Sequence, residues 1–394
     1  MTIFHIDVNS AFLSWTAVEQ LKKGAEIDLR EIPAIIGGDK KTRHGVVLAK
    51  SIPAKKYGIH TGEPVVDAIR KCPNLVIESP SHSLYSRYSK AMMDFLKTYT
   101  PDIEQVSVDE CFMDFTGIAY QFSSPLEAAL EIKNGIKKEF GFTVNIGISS
   151  NKLLAKMASD FKKPDRIHTL FPEEIEEKMW PLPVGELFMA GRSSVEVLNK
   201  LEIRTIGELA TTEPRLLELH LKSHGRTLWE YANGIGEQRL NQHQVDNKGI
   251  GNSTTLSRDA KTREEARNVL LQLAEKVGQR LRQEKQKAQM ISVEIRYSDF
   301  RNVSRQMQLA RGTQTTEGIT EATEILFDEL WNGEPIRLLG IRSSKLLDED
   351  EPEQMNLFDM EAQQKNIKHQ KLEVALDDIK NKYGKDAIKR GTLL

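Results

Sequence analysis

The chain has 394 residues, 39% hydrophobic and 28% charged, with a formal net charge of −2. Such a length fits two to four domains of roughly 100–200 residues, and the composition supplies enough apolar side chains for several cores. No apolar run reaches the ~20 residues of a membrane span. The N-terminus has no basic segment ahead of an apolar one, and Cys72 and Cys111 stand far apart outside any CxxC pair. These features exclude a signal peptide, a disulfide framework and a Cys-rich zinc site, and fit a reducing cytoplasm.

Residues 2–9 read as a short buried strand, and residues 13–78 interrupt the following pattern as a small subdomain. Leu84, Tyr88, Met92 and Phe95 share one side of a helix over 83–98. Strands over 103–108 and 111–115 meet at Asp109-Glu110. A helix over 124–139 opens on Ser124 and Pro125, suited to the N-cap and first helical position. Phe142–Ile148 is a strand, and a helix over 150–162 stops before Pro164. This alternation predicts an α+β layer with helices packed on one sheet. After Pro172 the chain reads as helical to about residue 236, and 237–247 as a polar linker. A second α/β block over 248–347 holds a helix at 262–286 and strands near 289–297 and 302–310; a final helix fits 365–383.

Charge is unevenly spread. Residues 251–312 carry 13 Lys and Arg against 7 Asp and Glu, whereas 348–361 carry 7 acidic residues and no basic one. A near-neutral total thus hides a basic block followed by an acidic one. His220 and His224, four apart, have the spacing of a shared helix face, but no Cys, Asp or Glu cluster completes a zinc set beside them.

Three carboxylates carry the chemical reading. Asp7 ends the first strand, about 100 residues upstream of Asp109 and Glu110. Nucleotidyl transfer uses two divalent ions about 4 Å apart, and Mg²⁺ prefers carboxylate and phosphate oxygens. Adjacent residues of a regular strand face opposite ways, so Asp109 and Glu110 can serve one site only if the chain turns there. A solvated hairpin tip and a strand-end acid are the blander reading of the same residues.

Asp7-Val8-Asn9-Ser10-Ala11-Phe12 together with Ser107-Val108-Asp109-Glu110 resembles the Y-family, or translesion, DNA polymerases. The resemblance extends through Ala49-Lys50-Ser51, Ala54-Lys55, Gly147-Ile148-Ser149, Asn151-Lys152, Ala155-Lys156 and Lys163-Pro164. It continues in Thr205–Ala210, Ser253–Leu256, Arg296–Phe300 and Arg337–Arg342. It implies a right-hand polymerase with a ferredoxin-like βαββαβ palm (1–12 and 79–169), small fingers (13–78), a helical thumb (170–236) and an α/β little finger (248–347). It further implies two Mg²⁺ ions held by Asp7, the Val8 carbonyl, Asp109 and Glu110.

By the same resemblance Phe12 is a steric gate, its ring filling the space a ribose 2′-OH needs; a core aromatic is the alternative. Lys163 matches the lysine that reaches the incoming triphosphate, a role that suits a compact point charge. Ser51 and Lys55 join it as candidates, although Ala49, Ile52 and Lys55 stand where polymerase IV-like members have Thr, Tyr and Arg. That segment looks more like the catalytic subunit of polymerase V. Gly191-Arg192-Ser193 departs from the family's Gly-x-Gly phosphate-binding hairpin.

Lys152 and Lys156, one helical turn apart, are candidates for the DNA backbone or for a solvated face. In the basic block Arg258, Arg296, Arg301 and Arg305 are further DNA candidates. Arg301 and Arg305, four apart on an expected strand, would share a face and grip phosphates without reading sequence. Gln354, Leu357 and Phe358, within the acidic tail (348–394), resemble a sliding-clamp-binding peptide. The expected partners are therefore primer–template DNA, dNTPs and a sliding clamp, with no membrane, for a monomeric enzyme. A nucleotide cyclase, which can share the palm order, and a clamp-tethered accessory protein with an inactive palm are the rival readings.

Overall fold

The computed structural model describes residues 1–38, 45–241, 247–351, 360–384 and 387–388, the side chains of 360–368 excepted. Every residue of β1 (Ile3–Val8) is buried except Asp7, which is half-buried. The chain leaves β1 through Ser10, whose backbone is left-handed (φ 48°), and enters α1 (Ala11–Lys22) at once. Ser14 Oγ closes this turn by donating to the Asn9 carbonyl at 2.6 Å.

The next elements are β2 (Ala34–Gly37), β3 (Val47–Lys50), α2 (Ile52–Lys55), α3 (Val65–Lys71) and β4 (Val76–Glu78). They build a three-stranded sheet, order β3-β2-β4, over a small core of Ile35, Val47, Ala54, Ile59 and Val65. The chain then returns through α4 (His82–Leu96), β5 (Ile103–Gln105), β6 (Glu110–Asp114), α5 (Pro125–Phe140), β7 (Val144–Ser149), α6 (Lys152–Asp160) and β8 (Ile167–Thr169). With β1 these strands form a five-stranded sheet of order β5-β6-β1-β7-β8. Its first four strands follow the expected βαββαβ order, and β8 adds a parallel edge beside β7.

Strand alternation sorts the two faces of this sheet. Phe4, Ile6 and Val8 pack with Cys111, Met113, Val144 and Ile146 against aromatic and aliphatic residues of α1, α4 and α5. His5 and Asp7 point the other way, beside their cross-strand partners Phe112 and Glu110, and α6 covers part of that reverse face. The approach of α6 to β7 depends on Gly147. A Cβ there would lie 1.9 Å from the Ala155 carbonyl oxygen and 2.4 Å from the Ser159 amide nitrogen.

Helices α7 (Ile175–Lys178), α8 (Arg192–Lys200), α9 (Ile206–Thr211), α10 (Pro214–Leu221) and α11 (Ser223–Ala232) follow. Leu198, Ile206, Leu209, Leu217 and Leu228 share a core with Leu153 and Leu154 of α6. The chain breaks at Lys222 between α10 and α11 (φ 55°), so His220 and His224 belong to different helices and share no helical face.

A second compact unit begins near residue 245. Strands β9 (Gly249–Ala260), β10 (Gln286–Tyr297), β11 (Asn302–Thr313) and β12 (Ile336–Asp348) form an antiparallel sheet of order β11-β10-β12-β9. Helices α12 (Arg263–Gln283) and α13 (Thr316–Leu330) bury one face of it, Leu270, Leu273 and Phe327 meeting Ile291, Val293, Ile295 and Ile341. Sequence reading did not mark β9, α13 and β12 as separate elements.

The final helix α14 (Met360–Tyr383) docks on this unit through charge. Arg282, nearly buried, meets Glu373 at 2.5 Å and Asp377 at 2.7 Å. The Thr316 amide at the start of α13 donates to the Glu373 carboxylate at 2.9 and 3.0 Å.

Candidate active site

Asp7 and Glu110 are direct cross-strand partners. Such partners leave the same face of an antiparallel pair with Cβ atoms about 5 Å apart. Asp109 immediately precedes β6, and its carbonyl accepts from the Val8 amide at 3.0 Å. The turn that the Asp109-Glu110 pair requires is built by Ser107. Its hydroxyl donates to Asp109 Oδ1 at 2.5 Å and accepts from the amides of Asp109 and Glu110, each at 3.2 Å. Asp7 and, about 100 residues later, the adjacent Asp109 and Glu110 thus meet at two neighbouring strands.

Each carboxylate has its own partner. Lys163 Nζ lies 2.8 Å from Asp7 Oδ1 and 2.9 Å from Asp160 Oδ1; Lys156 Nζ lies 2.5 Å from Glu110 Oε2. Among the described residues no three His, Cys, Asp or Glu side chains gather closely enough to hold a metal ion. The donor set nevertheless suits hard divalent cations. The side-chain donors are carboxylate oxygens, Asp7 and Glu110 leave one face of neighbouring strands with Asp109 next in the chain, and a lysine ammonium lies on each of the two paired acids.

Burial pushes the Asp7 carboxyl up, with Lys163 pulling the other way. Glu110 is held down at about 2, by the adjacent His5 first and by Lys156, against the effect of burial. Burial works to lower the pKa of Lys163, but Asp7 and Asp160 outweigh it and raise it.

The loop that carries Lys163 is fixed by two buried amides that sequence reading passed over. Asn145, fully buried, donates to the carbonyls of Ser159 and Lys162 at 3.1 and 2.8 Å and accepts from the Arg166 amide at 3.2 Å. Asn9 donates to Asn145 Oδ1 at 3.1 Å and accepts from the Asp165 amide at 2.9 Å. Their only sequence signal was an Asn within the run Phe142–Ile148 and another at the end of the strand read over 2–9, where an unpaired buried amide would be unfavourable.

Phe12, on the first turn of α1, stacks on Tyr85 of α4 with ring centroids 4.2 Å apart and planes 5° from parallel. Ser51 has a structural place in the fingers sheet. Its hydroxyl donates to the Ile32 carbonyl at 2.7 Å and accepts from the amides of Ala34 and Ala54, each at 3.1 Å. It is the N-cap of α2 and holds β2 to β3. Lys55 is exposed at the end of α2, and Lys50 has its pKa lowered by burial and then by the positive charge of Lys55.

Lys152 and Lys156 also differ from expectation. Lys152 is bound by Glu237 at 2.7 Å and Glu104 at 3.1 Å and lies over the Phe112 ring, so it ties the palm to the segment after α11. Lys156 is committed to Glu110, not to a solvated face. Gly191 is the N-cap of α8 and supplies no side-chain cap to Arg192 and Ser193.

In the second unit Arg301 precedes β11, its guanidinium on Glu334 at 2.6 Å and over the Tyr297 ring. Arg305 is in β11 opposite the buried Val293, on the helix side of the sheet, and pairs with Glu329 at 3.0 Å. The two therefore share no strand face. Arg258 is exposed and pairs with Glu265 at 3.1 Å. Arg296 does lie on the open face of the sheet, opposite Asn302, to which it donates at 2.7 Å. Arg342, cross-strand from Ser292 and Gly251, shares that face. Asn302 and Arg342 line a trough of about 760 Å³ with Ser253, Glu294, Ser304 and Gln306. Gln354, Leu357 and Phe358 lie outside the described residues.

Two family models match the chain: the impB/mucB/samB family over residues 6–160 and its C-terminal domain over 247–357. The chain is 50% identical over 392 residues to a DNA polymerase IV of Clostridium acetobutylicum, covering 100% of this chain and 98% of that one. It is 37% identical over 394 residues to DNA polymerase IV 1 of Bacillus subtilis, covering 100% and 93%. Both relatives carry the polymerase IV name. A solved Y-family DNA polymerase chimera of Dbh and Dpo4 has the same fold, with a TM-score of 0.76 at 21% identity over 88% of this chain and 100% of that one. No helix among the described residues is long and apolar enough to cross a membrane. The chain belongs to the impB/mucB/samB family and is a Y-family translesion DNA polymerase.

Proposed function

We propose that this DNA-directed DNA polymerase extends a primer 3′-OH with dNTPs at Asp7, Asp109 and Glu110, using two Mg²⁺ ions. The observation that carries the reading is the cross-strand pairing of Asp7 with Glu110, with Asp109 beside them and a lysine on each paired acid. Asp7, Val8, Asp109 and Glu110 would hold the ions, whose chemistry is to stabilise the attacking and leaving oxygens of an in-line displacement.

The chain's own residues do the positioning on which phosphoryl transfer depends. Lys163 exchanges carboxylate oxygens for triphosphate oxygens of the same charge. Lys50 and Lys55 add positive charge from the fingers, where their mutual repulsion favours an anion. Phe12, backed by Tyr85, bars the 2′-hydroxyl. Beyond α1, the described residues of the fingers form three short strands and two short helices, a small surface that presses weakly on the nascent pair and favours bypass of damaged templates. Gln354, Leu357 and Phe358 tether the enzyme to a sliding clamp, raising its local concentration on DNA.

Primer extension with Mg²⁺ across an abasic site, with and without clamp, tests this reading. Loss of several kcal/mol of transition-state stabilisation in Asp109→Ala slows extension by about 1,000-fold or more. Wild-type extension by Asp109→Ala would remove the site assignment, and equal stimulation of Phe358→Ala and wild type by clamp would remove the tether.

A further inference from the structure

His5 lies in β1 two residues before Asp7, on the same face, fully buried beside Phe112. Its Nδ1 is 2.8 Å from Ser159 Oγ. Ser159 Oγ also lies 2.8 Å from the Lys156 carbonyl. Turned towards Nδ1, the hydroxyl donates to the ring and leaves the imidazole proton on Nε2, and this contact fixes the plane of the ring. So oriented, Nε2 faces Glu110 Oε2 at 3.3 Å. Nε2 is buried, and Glu110 is the partner it faces, short of a fully aligned hydrogen bond. Burying a polar atom short of a full match is unfavourable, by about 1–3 kcal/mol when it is wholly unmatched, so such atoms are rare and commonly mark function.

The same Glu110 oxygen is met by Lys156 at 2.5 Å. A single chain of contacts thus runs from the backbone of α6 through Ser159 and His5 to Glu110 and back to Lys156. Packing alone does not account for it. A purely structural residue at position 5 would be apolar, like Phe112 across the strand, and would need no acidic partner.

We propose that His5 is a positioning residue for Glu110, holding that carboxylate from within the sheet in the orientation from which it reaches the divalent ions. His5 itself touches neither substrate nor metal. The inference rests on the reading of Asp7, Asp109 and Glu110 as metal ligands. Carboxylates that bind metal are themselves oriented by outer partners, and loss of such a partner weakens metal binding by about 10–100-fold.

The test reads metal binding apart from turnover. Mn²⁺ is titrated by electron paramagnetic resonance into enzyme carrying a dideoxy-terminated primer–template and a dNTP. Mg²⁺ dependence of extension and melting temperature are measured in parallel. His5→Phe and Ser159→Ala raise the half-saturating metal concentration by about 10-fold while leaving KM for dNTP unchanged. His5→Gln, whose amide reaches the Nε2 position, restores binding towards wild type; His5→Asn, which reaches only Ser159, does not. If His5→Phe fails to fold, Ser159→Ala and His5→Gln decide the matter. Wild-type metal dependence in a folded Ser159→Ala overturns the proposal, as does equal behaviour of the Gln and Asn variants. Asp109→Ala is the reference. If it too binds and extends normally, the fault lies in the assignment of the metal site and not in His5.

Discussion

The gate proposed for Phe12 would work only as well as its ring is held. The stack on Tyr85 holds it from one face, the His82 ring meets it edge-on with centroids 6.5 Å apart, and Trp15 packs beside it. Tyr85 is itself buried, its hydroxyl 3.3 Å from Thr16 Oγ1. Phe12→Ala therefore raises ribonucleotide use by removing the barrier, and Tyr85→Leu raises it by letting the barrier tilt. A stacked aromatic pair is worth about 0.5–1.5 kcal/mol beyond its buried area, or about a 2–10-fold rise in the ratio of kcat/KM for ribonucleotide over deoxynucleotide. Should Tyr85→Leu keep the wild-type ratio while Phe12→Ala shifts it, the stack is not what steadies the gate. Phe12 stands out in the sequence through its motif. Tyr85, 73 positions later, does not, because the stripe Leu84, Tyr88, Met92 and Phe95 marks a buried helix face without saying which ring meets which. Ser51 shows the converse. Its motif position pointed to the nucleotide, yet a hydroxyl beside a Pro-containing turn is equally an N-cap, and only the three bonds it makes decide between them.

At the scale of elements, the site depends on how closely α6 lies against β7. Helix α6 brings Lys156 and Ser159 to the reverse face of the sheet, and the loop after it brings Lys163. The close approach exists because residue 147, opposite His5, has no side chain. In Gly147→Ala the added methyl meets backbone, which cannot swing aside as a side chain would. Overpacking of this kind costs about 1–3 kcal/mol and occasionally more. Gly147→Ala accordingly melts several degrees lower and loses extension activity even at temperatures where it is folded, since α6 must shift with both its lysine and its serine. Full activity in a folded Gly147→Ala would show that the position of α6 is not critical. The strand Phe142–Ile148 and the helix over 150–162 were both readable, the one from its apolar run and the other from its stop before Pro164. Their separation was not, because the periodicity that identifies an element carries no information on what it packs against. The same limit hid His5. Alternation puts His5 and Asp7 on one face of β1, but it cannot show that α6 closes over part of that face.

Across the whole molecule, charge is where the sequence was least transparent. The basic block over 251–312 looked like a nucleic-acid surface, but much of it is neutralised within its own unit: Arg258 by Glu265, Arg301 by Glu334, Arg305 by Glu329, and Arg282 by Glu373 and Asp377 of α14. Counting charges along the chain cannot distinguish these from free ones, since the partners come from as far as 95 residues away. The sheet register does distinguish them. The uncovered face of β11-β10-β12-β9 presents Arg296 and Arg342 among Ser253, Ser292, Asn302, Ser304 and Gln306, small polar groups that suit contact with a phosphate backbone. If this face is the one that meets DNA, each of the two arginines neutralises about one phosphate. Arg296→Ala and Arg342→Ala then weaken duplex binding to a similar degree on all sequences, and each lowers the slope of log Kd against log salt by about 1. Arg305→Ala, whose guanidinium faces α13, leaves the slope unchanged although it removes the same formal charge. A fluorescence-anisotropy titration at several salt concentrations separates the cases. Equal slope losses for all three variants would mean that net charge and not the open face governs binding, and no loss for Arg296→Ala and Arg342→Ala would move the DNA off this sheet altogether.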